Sequence, residues 1–408
     1  MKINLVTLRR ATAIAVACLL TSCAHVTSST KTQTNAGFNL VNQPKHIALL
    51  LPLSGQLGNA GQAVRDGVLA AYYQAKQRQQ TTTIVNFYNT ASTTDIVTLY
   101  NHALEQGADL VIGPLDKPGI LRLASADAIK VPTIVLNELP AHKSAPRDLI
   151  QFSLVQTAEA EQVAKRAWQD GKRRALVIIP AGQWGMEIGK AFANEWQAQG
   201  GTIADKIALQ NGQNVNLAMQ QLLKIEYVEE DLKRPQRGKK TKLIPQPRQD
   251  ADMVFMALTP NLARQIKPLL QFYYANHLSV YATSLAIGSQ TMPNEAIDMQ
   301  DVIICDMPWV MNQPQPHARA DQKNRLYALG MDAYGLSQNL ASLSSTYGFT
   351  GNTGTLQLGA NNKLNRQLFC TTLNQKSAPL TNQLSLEFDS STNPIEQPAT
   401  DDNDYVAF

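Results

Sequence analysis

The chain has 408 residues, is 44% apolar and 17% charged, and carries a formal net charge of +4. That length allows about two or three domains, and the composition can bury a core and excludes a chain dominated by disordered charge blocks. So mild a basic excess does not make a nucleic-acid binder, and four cysteines exclude a disulfide scaffold or a multi-zinc protein.

The N-terminus reads as an address and an anchor. Lys2, Arg9 and Arg10 precede an apolar stretch at 11–20. That is signal-peptide length, short of the ~20 residues a spanning helix takes. Leu20-Thr21-Ser22-Cys23 follows and resembles the bacterial lipobox. The Cys23 thiol would accept a diacylglycerol, and the small residues before it would admit a peptidase to the Ser22–Cys23 bond. Acylation of the freed amine would add the further chains that stable anchoring needs. Ala24 stands where an Asp favours inner-membrane retention in enteric-type bacteria, so the outer membrane, facing the periplasm, is expected. Residues 1–22 are thus a lipoprotein signal peptide, and the polar residues 23–44 a lipid-anchored tether. Loss of the signal removes three positive charges and no acid, leaving the mature chain near neutral.

From Lys45 the pattern changes. Residues 46–52 read as a buried strand, ended by a turn at Ser54-Gly55. Leu57, Ala60, Val64, Val68, Ala71 and Ala75 recur at helical spacing. A strand at 83–88, a helix from Ile96 stopped by Gly107, and a strand at 108–112 follow. Gly113-Pro114 ends that strand, Pro118 suits the first position of a third helix, and 131–136 is the next strand. The alternation restarts with a helix that Thr157 would cap, with Glu159 in its first turn. Strands at 175–179, 203–208, 253–258 and 279–282 alternate with helices at 185–199, 215–223 and 261–274. Repeated β-α units predict an α/β protein with parallel sheets flanked by helices, and two runs of them predict two lobes. Ligands of such sheets sit at the strand C-termini. Between 230 and 250, Lys233, Arg234, Arg237, Lys239, Lys240, Lys242 and Arg248 lie among three prolines and read as a basic loop. Residues 381–408 read as a disordered acidic tail.

The stretches HIALLLPLSGQLGNAGQAVRDG (46–67), GADLVIGPLDKPGI (107–120), VPTIVLNELP (131–140), the run at 249–284 and YALGMDAYGL (327–336) carry a resemblance. Their distribution is similar to the type I periplasmic-binding-protein fold, and more closely resembles the LppC family over about 45–380. The resemblance implies a two-lobed domain, one lobe about 45–153 plus a return segment, the other about 154–283 plus a C-terminal segment. It also implies a non-enzymatic outer-membrane lipoprotein regulating peptidoglycan synthesis. Members reach through the peptidoglycan, bind a class A penicillin-binding protein and stimulate its transpeptidase. Better-known members carry a helical-repeat domain before this one. Here only some twenty residues separate Cys23 from the first strand, an extended reach of about 70 Å.

Candidate chemistry is sparse. Gly55, Gly58 and Gly61 open a helix after a strand, but the GxxGxxG spacing and the lack of GK[ST] read as a packing turn, not a phosphate cradle. In amino-acid-binding relatives of the fold this turn and the one at Gly113-Pro114 line the cleft. Ser54, Gly55, Gly113, Pro114, Lys117 and Trp184 are therefore the candidate cleft residues, with Asp116 unfavourable to a ligand carboxylate and no hydroxyl residue directly after Gly113-Pro114. No GxSxG, SxxK or HExxH occurs, and the six histidines are scattered, so neither catalysis, a cofactor nor a metal is expected. Cys305 and Cys370 are either a disulfide or two buried thiols. The basic residues 233–242 are the candidate partner surface. The alternative reading is a solute-binding or sensing lipoprotein for an amino acid or other small ligand.

Overall fold

The computed structural model describes residues 43–92, 95–231, 241–287, 295–312, 322–344 and 347–373. The signal peptide, Cys23, the tether up to residue 42 and the acidic tail lie outside the described residues, as do Lys233, Arg234, Arg237, Lys239 and Lys240.

The first lobe runs β1 (His46–Leu51), α1 (Gly58–Gln77), β2 (Ile84–Asn89), α2 (Ile96–Glu105), β3 (Leu110–Ile112), α3 (Lys117–Ser125), β4 (Thr133–Val135) and β5 (Leu149–Gln151). Its strands are parallel in the order β2-β1-β3-β4-β5. A strand covered on both faces must be apolar throughout. In β1, Ile47, Leu49 and Leu51 accordingly pack under α1, while Ala48 and Leu50 pack with Tyr100 and Ala103 of α2. Asp95 caps α2 by accepting from the Val97 and Thr98 amides. Asp116 does the same for α3 through the Gly119 amide, which moves Pro118 to the second helical position instead of the first. Strand β5 was not anticipated; three residues are too few to show a period.

The second lobe runs α4 (Gln156–Gln169), β6 (Arg174–Pro180), α5 (Gln183–Ala198), β7 (Thr202–Leu209), α6 (Val215–Leu222), β8 (Glu226–Asp231), β9 (Thr241–Gln246), β10 (Met253–Met256), α7 (Pro260–Phe272), β11 (Ser279–Thr283), α8 (Glu295–Asp298), β12 (Ile303–Asp306) and α9 (Pro308–Met311). Helices α4 and α5 cover one face, where Phe192 stacks on Phe255 at 4.0 Å, and α6 and α7 cover the other. Two expectations about helix starts are corrected. Val155, not Thr157, precedes α4, and no side chain caps it. Helix α5 starts at Gln183, so Trp184 lies in its first turn. Within the expected basic loop at 230–250, residues 230–231 and 241–246 instead belong to a two-stranded antiparallel ribbon of β8 and β9, and 232–240 lie outside the described residues. Strand β12 lies beside β11, so the first passage through this lobe continues beyond the expected limit near 283.

The chain then returns through α10 (Gln322–Gln338), β13 (Phe349–Gly351), β14 (Gly354–Leu358), β15 (Leu364–Gln367) and β16 (Phe369–Thr372). Helix α10 lies on α1 in backbone contact: a Cβ on Gly67 would fall 1.9 Å from the Tyr327 carbonyl oxygen, and one on Gly330 would fall 2.1 Å from that of Val64. Leu326, Leu329 and Ala333 thereby join the first-lobe core, as do Leu356 and Leu364 from the β13-β14-β15 sheet. Strand β16 goes back to the second lobe, antiparallel to β12, giving the order β16-β12-β11-β10-β6-β7. Among the described residues, no helix is long and apolar enough to cross a membrane.

Candidate functional site

The turns at the strand ends were expected to line a cleft. After β1, the Leu53 amide donates to Asn89 Oδ1 at 2.9 Å, and exposed Ser54 stands 3.5 Å from the Asn89 amide nitrogen. The turn glycines serve packing: a Cβ on Gly61 would lie 1.8 Å from the Pro52 carbonyl oxygen, and one on Gly185 in the other lobe 1.9 Å from that of Pro180. Gly55 and Gly113 have φ of +72° and +108°, and the Gly113–Pro114 bond is cis. Lys117 is exposed, and Asp116 is occupied in capping α3. Trp184 is half-buried against the core under α4 and α5. Two surface depressions, of about 350 and 550 Å³, lie along α3 and between α6 and α7. Neither is lined by Ser54, Gly55, Gly113, Pro114, Lys117 or Trp184.

The charged groups at the strand ends are different ones. Asp306 ends β12 fully buried, and the Arg325 guanidinium of α10 meets it at 2.6 Å while also donating to the Ser284 carbonyl. Glu159 of α4 is 1% exposed and accepts from the Ser284 amide at 3.1 Å. Arg366 of β15, also buried, places Nη2 3.8 Å from Glu159 Oε1 and donates through Nη1 to the Thr353 carbonyl. The 3.8 Å separation is too long for a hydrogen bond, and Nη2 has no other hydrogen-bond partner. About two turns further along α10, Asp332 accepts from the amides of Asn352 and Thr353, the Asn352 side chain and the Thr353 hydroxyl. It thereby fixes the turn between β13 and β14 to α10.

Burial governs the electrostatics. It pushes the Glu159 carboxyl up to about 7, with repulsion from Asp306 adding to it and the two arginines opposing. Burial also raises Asp332 against its four hydrogen bonds, and lowers Arg366. Both carboxylates, Glu159 and Asp306, come from the second lobe. Both guanidiniums, Arg325 and Arg366, come from the returning segment that packs with the first. The cluster therefore spans the seam between lobes.

Sequence reasoning assigned Glu159 to the helix dipole and passed over the other members. A signal existed: Arg325 and Asp332 are the two ionic residues of the otherwise largely apolar stretch 325–336, seven apart and so on one helix face. Next to the cluster, Cys305 of β12 and Cys370 of β16 sit opposite in register and are disulfide-bonded, with Cα atoms 4.0 Å apart. Arg248, read as part of the basic loop, is a buried anchor instead. It bonds Asp250 at 2.6 Å, Asp205 at 2.8 Å and the Leu222 and Ala204 carbonyls. Lys242 lies in β9 opposite Glu230. Among the described residues, no His, Cys, Asp and Glu group is arranged to hold a metal ion.

Residues 29–374 match the family model "LppC putative lipoprotein". A penicillin-binding protein activator LpoA from Vibrio antiquarius (strain Ex25) is 25% identical over 347 residues, 80% of this chain and 57% of that protein. The chain spans about half the length of the curated relatives it matches. The C-domain of LpoA (YraM) from Haemophilus influenzae, a regulator of PBP1A, superposes with a TM-score of 0.65 at 24% identity, covering 81% of this chain and 98% of that one. A "putative branched-chain amino acid ABC transporter" from Chromobacterium violaceum superposes at 0.60 with 29% identity, covering 80% and 99%.

Proposed function

The chain belongs to the LppC lipoprotein family, and from that premise we propose that it binds and activates a class A penicillin-binding protein, stimulating transpeptidation, without catalysis of its own. The observation that carries this reading is the family match over 29–374 together with relatives named as penicillin-binding protein activators. The geometry supports a regulator over a solute receptor. At the seam between its lobes this chain places its own Glu159, Asp306, Arg325 and Arg366, buried and facing one another rather than an open cavity. These carboxylates face guanidiniums and backbone amides, not a nucleophile. Acylated Cys23 would hold the protein at the outer membrane, with the domain in the periplasm. The basic stretch from Lys233 to Lys242, which joins β8 to β9 in the sequence, is the proposed docking charge toward the partner.

Crosslinking of the full chain in membrane extract, followed by affinity capture, tests the partner. The proposal expects a class A penicillin-binding protein among the captured proteins. Its absence, coupled with a large thermal shift on adding a free amino acid, would favour the solute-binding reading.

A further inference from the structure

Beside apolar contacts such as Trp309 against Tyr327, the seam between the lobes holds charges that each lobe supplies to the other. Glu159 on α4 and Asp306 on β12 belong to one lobe, and they repel each other. Arg325 on α10 and Arg366 on β15 arrive with the segment packed on the other lobe. Glu138 and Asp332 stand further out around Arg366. Asp306 is well compensated, by Arg325 at 2.6 Å and by the Met307 amide at 2.7 Å. Glu159 is not: it has the Ser284 amide, but its arginine stands at 3.8 Å. Nearby, Gln156 Oε1 and Thr283 Oγ1 are buried with no hydrogen-bond partner. A negative charge on Glu159 is therefore poorly solvated in the closed seam, and water entering an opened seam would relieve it.

We propose that this four-residue cluster is a proton-controlled latch between the lobes, tightest when Glu159 is protonated and loosened when it ionises. The direction follows from linkage. In the closed seam the Glu159 carboxyl titrates near 7, above its ordinary value of 4.5. The closed form thus holds the extra proton between those limits. Closure is strongest below the ordinary value, weakens as pH rises, and levels off above the raised one. The latch needs no ligand and does not depend on the identity of any partner.

Hydrogen exchange of the full chain, followed by mass spectrometry from pH 5.5 to 8 and corrected for the intrinsic chemical rate, reads the latch directly. The Ser284 amide donates to Glu159 and reports its opening. The proposal expects protection of peptides covering 283–287 and 303–307 to fall by about 20-fold over that range, while β6 at the sheet centre stays protected. Glu159→Gln keeps an acceptor for the Ser284 amide and removes the titration, so its seam protection should be independent of pH. A flat profile in the wild type, an equal loss at β6, or an unchanged pH dependence in Glu159→Gln would each overturn the latch. If Glu159→Gln does not fold, the wild-type contrast between seam and β6 decides alone.

Discussion

Asp332 is a buried carboxylate on whose two oxygens four donors converge. An amide there would turn an NH₂ group toward two of those donors. Asp332→Asn is expected to cost about 2–4 kcal/mol, measured by urea unfolding, with the β13–β14 turn exchanging fastest. A cost below measurement would mean that the turn is held by packing alone. Arg248 and Glu159 show what a sequence withholds at this scale. Arg248 looks like one more cation in a basic stretch; only the fold brings Asp205, 43 residues away, to meet it. Glu159 at a helix start looks like a favourable charge on a dipole, and its burial is set by β15, some two hundred residues later. The pairing of distant charges leaves no local trace, whereas Asp95 and Asp116 as helix caps do, because capping is a matter of three or four residues.

The β-α alternation was legible because each buried strand of these sheets is apolar on both faces and each helix shows its own period. The ribbon of β8 and β9 was not. Glu226, Glu229, Glu230 and Pro245 hide it, and a two-stranded ribbon buries neither face, so no alternation is imposed. Pro245 is tolerated because every strand of such a ribbon is an edge. The return elements β13–β16 are three to five residues long and equally silent. At this scale the Cys305–Cys370 bond has a definite role: it fastens β16, the last described strand, to β12 across a sequence separation of 65. Replacing both cysteines by serine is expected to lower stability by about 3 kcal/mol. Calorimetry of the double variant against wild type checks this, and exchange at β16 should rise before exchange at β10. An unchanged melting temperature would show the strand is held by its ladder alone.

Two sheets, two cores and a chain that crosses the seam three times make the molecule a two-lobed body whose lobes meet through a buried charged cluster and through apolar contacts such as Trp309 against Tyr327. A hinge in such a body could alter a docking surface when the lobes move, and a partner preferring one arrangement would shift the population toward it. The two-lobed architecture was readable from the restart of the alternation near 157. The charged cluster at the seam was not, since it is assembled from four separate elements. The proposed role needs only that this body, held at a membrane, reach a synthase and change its activity. The most direct measurement is the rate of peptide crosslinking by a purified class A penicillin-binding protein, in lipid vesicles, with and without the acylated full chain. A higher rate and a larger crosslinked fraction are expected when the chain is present. An unchanged rate at saturating chain, with the synthase active on its own, would contradict it.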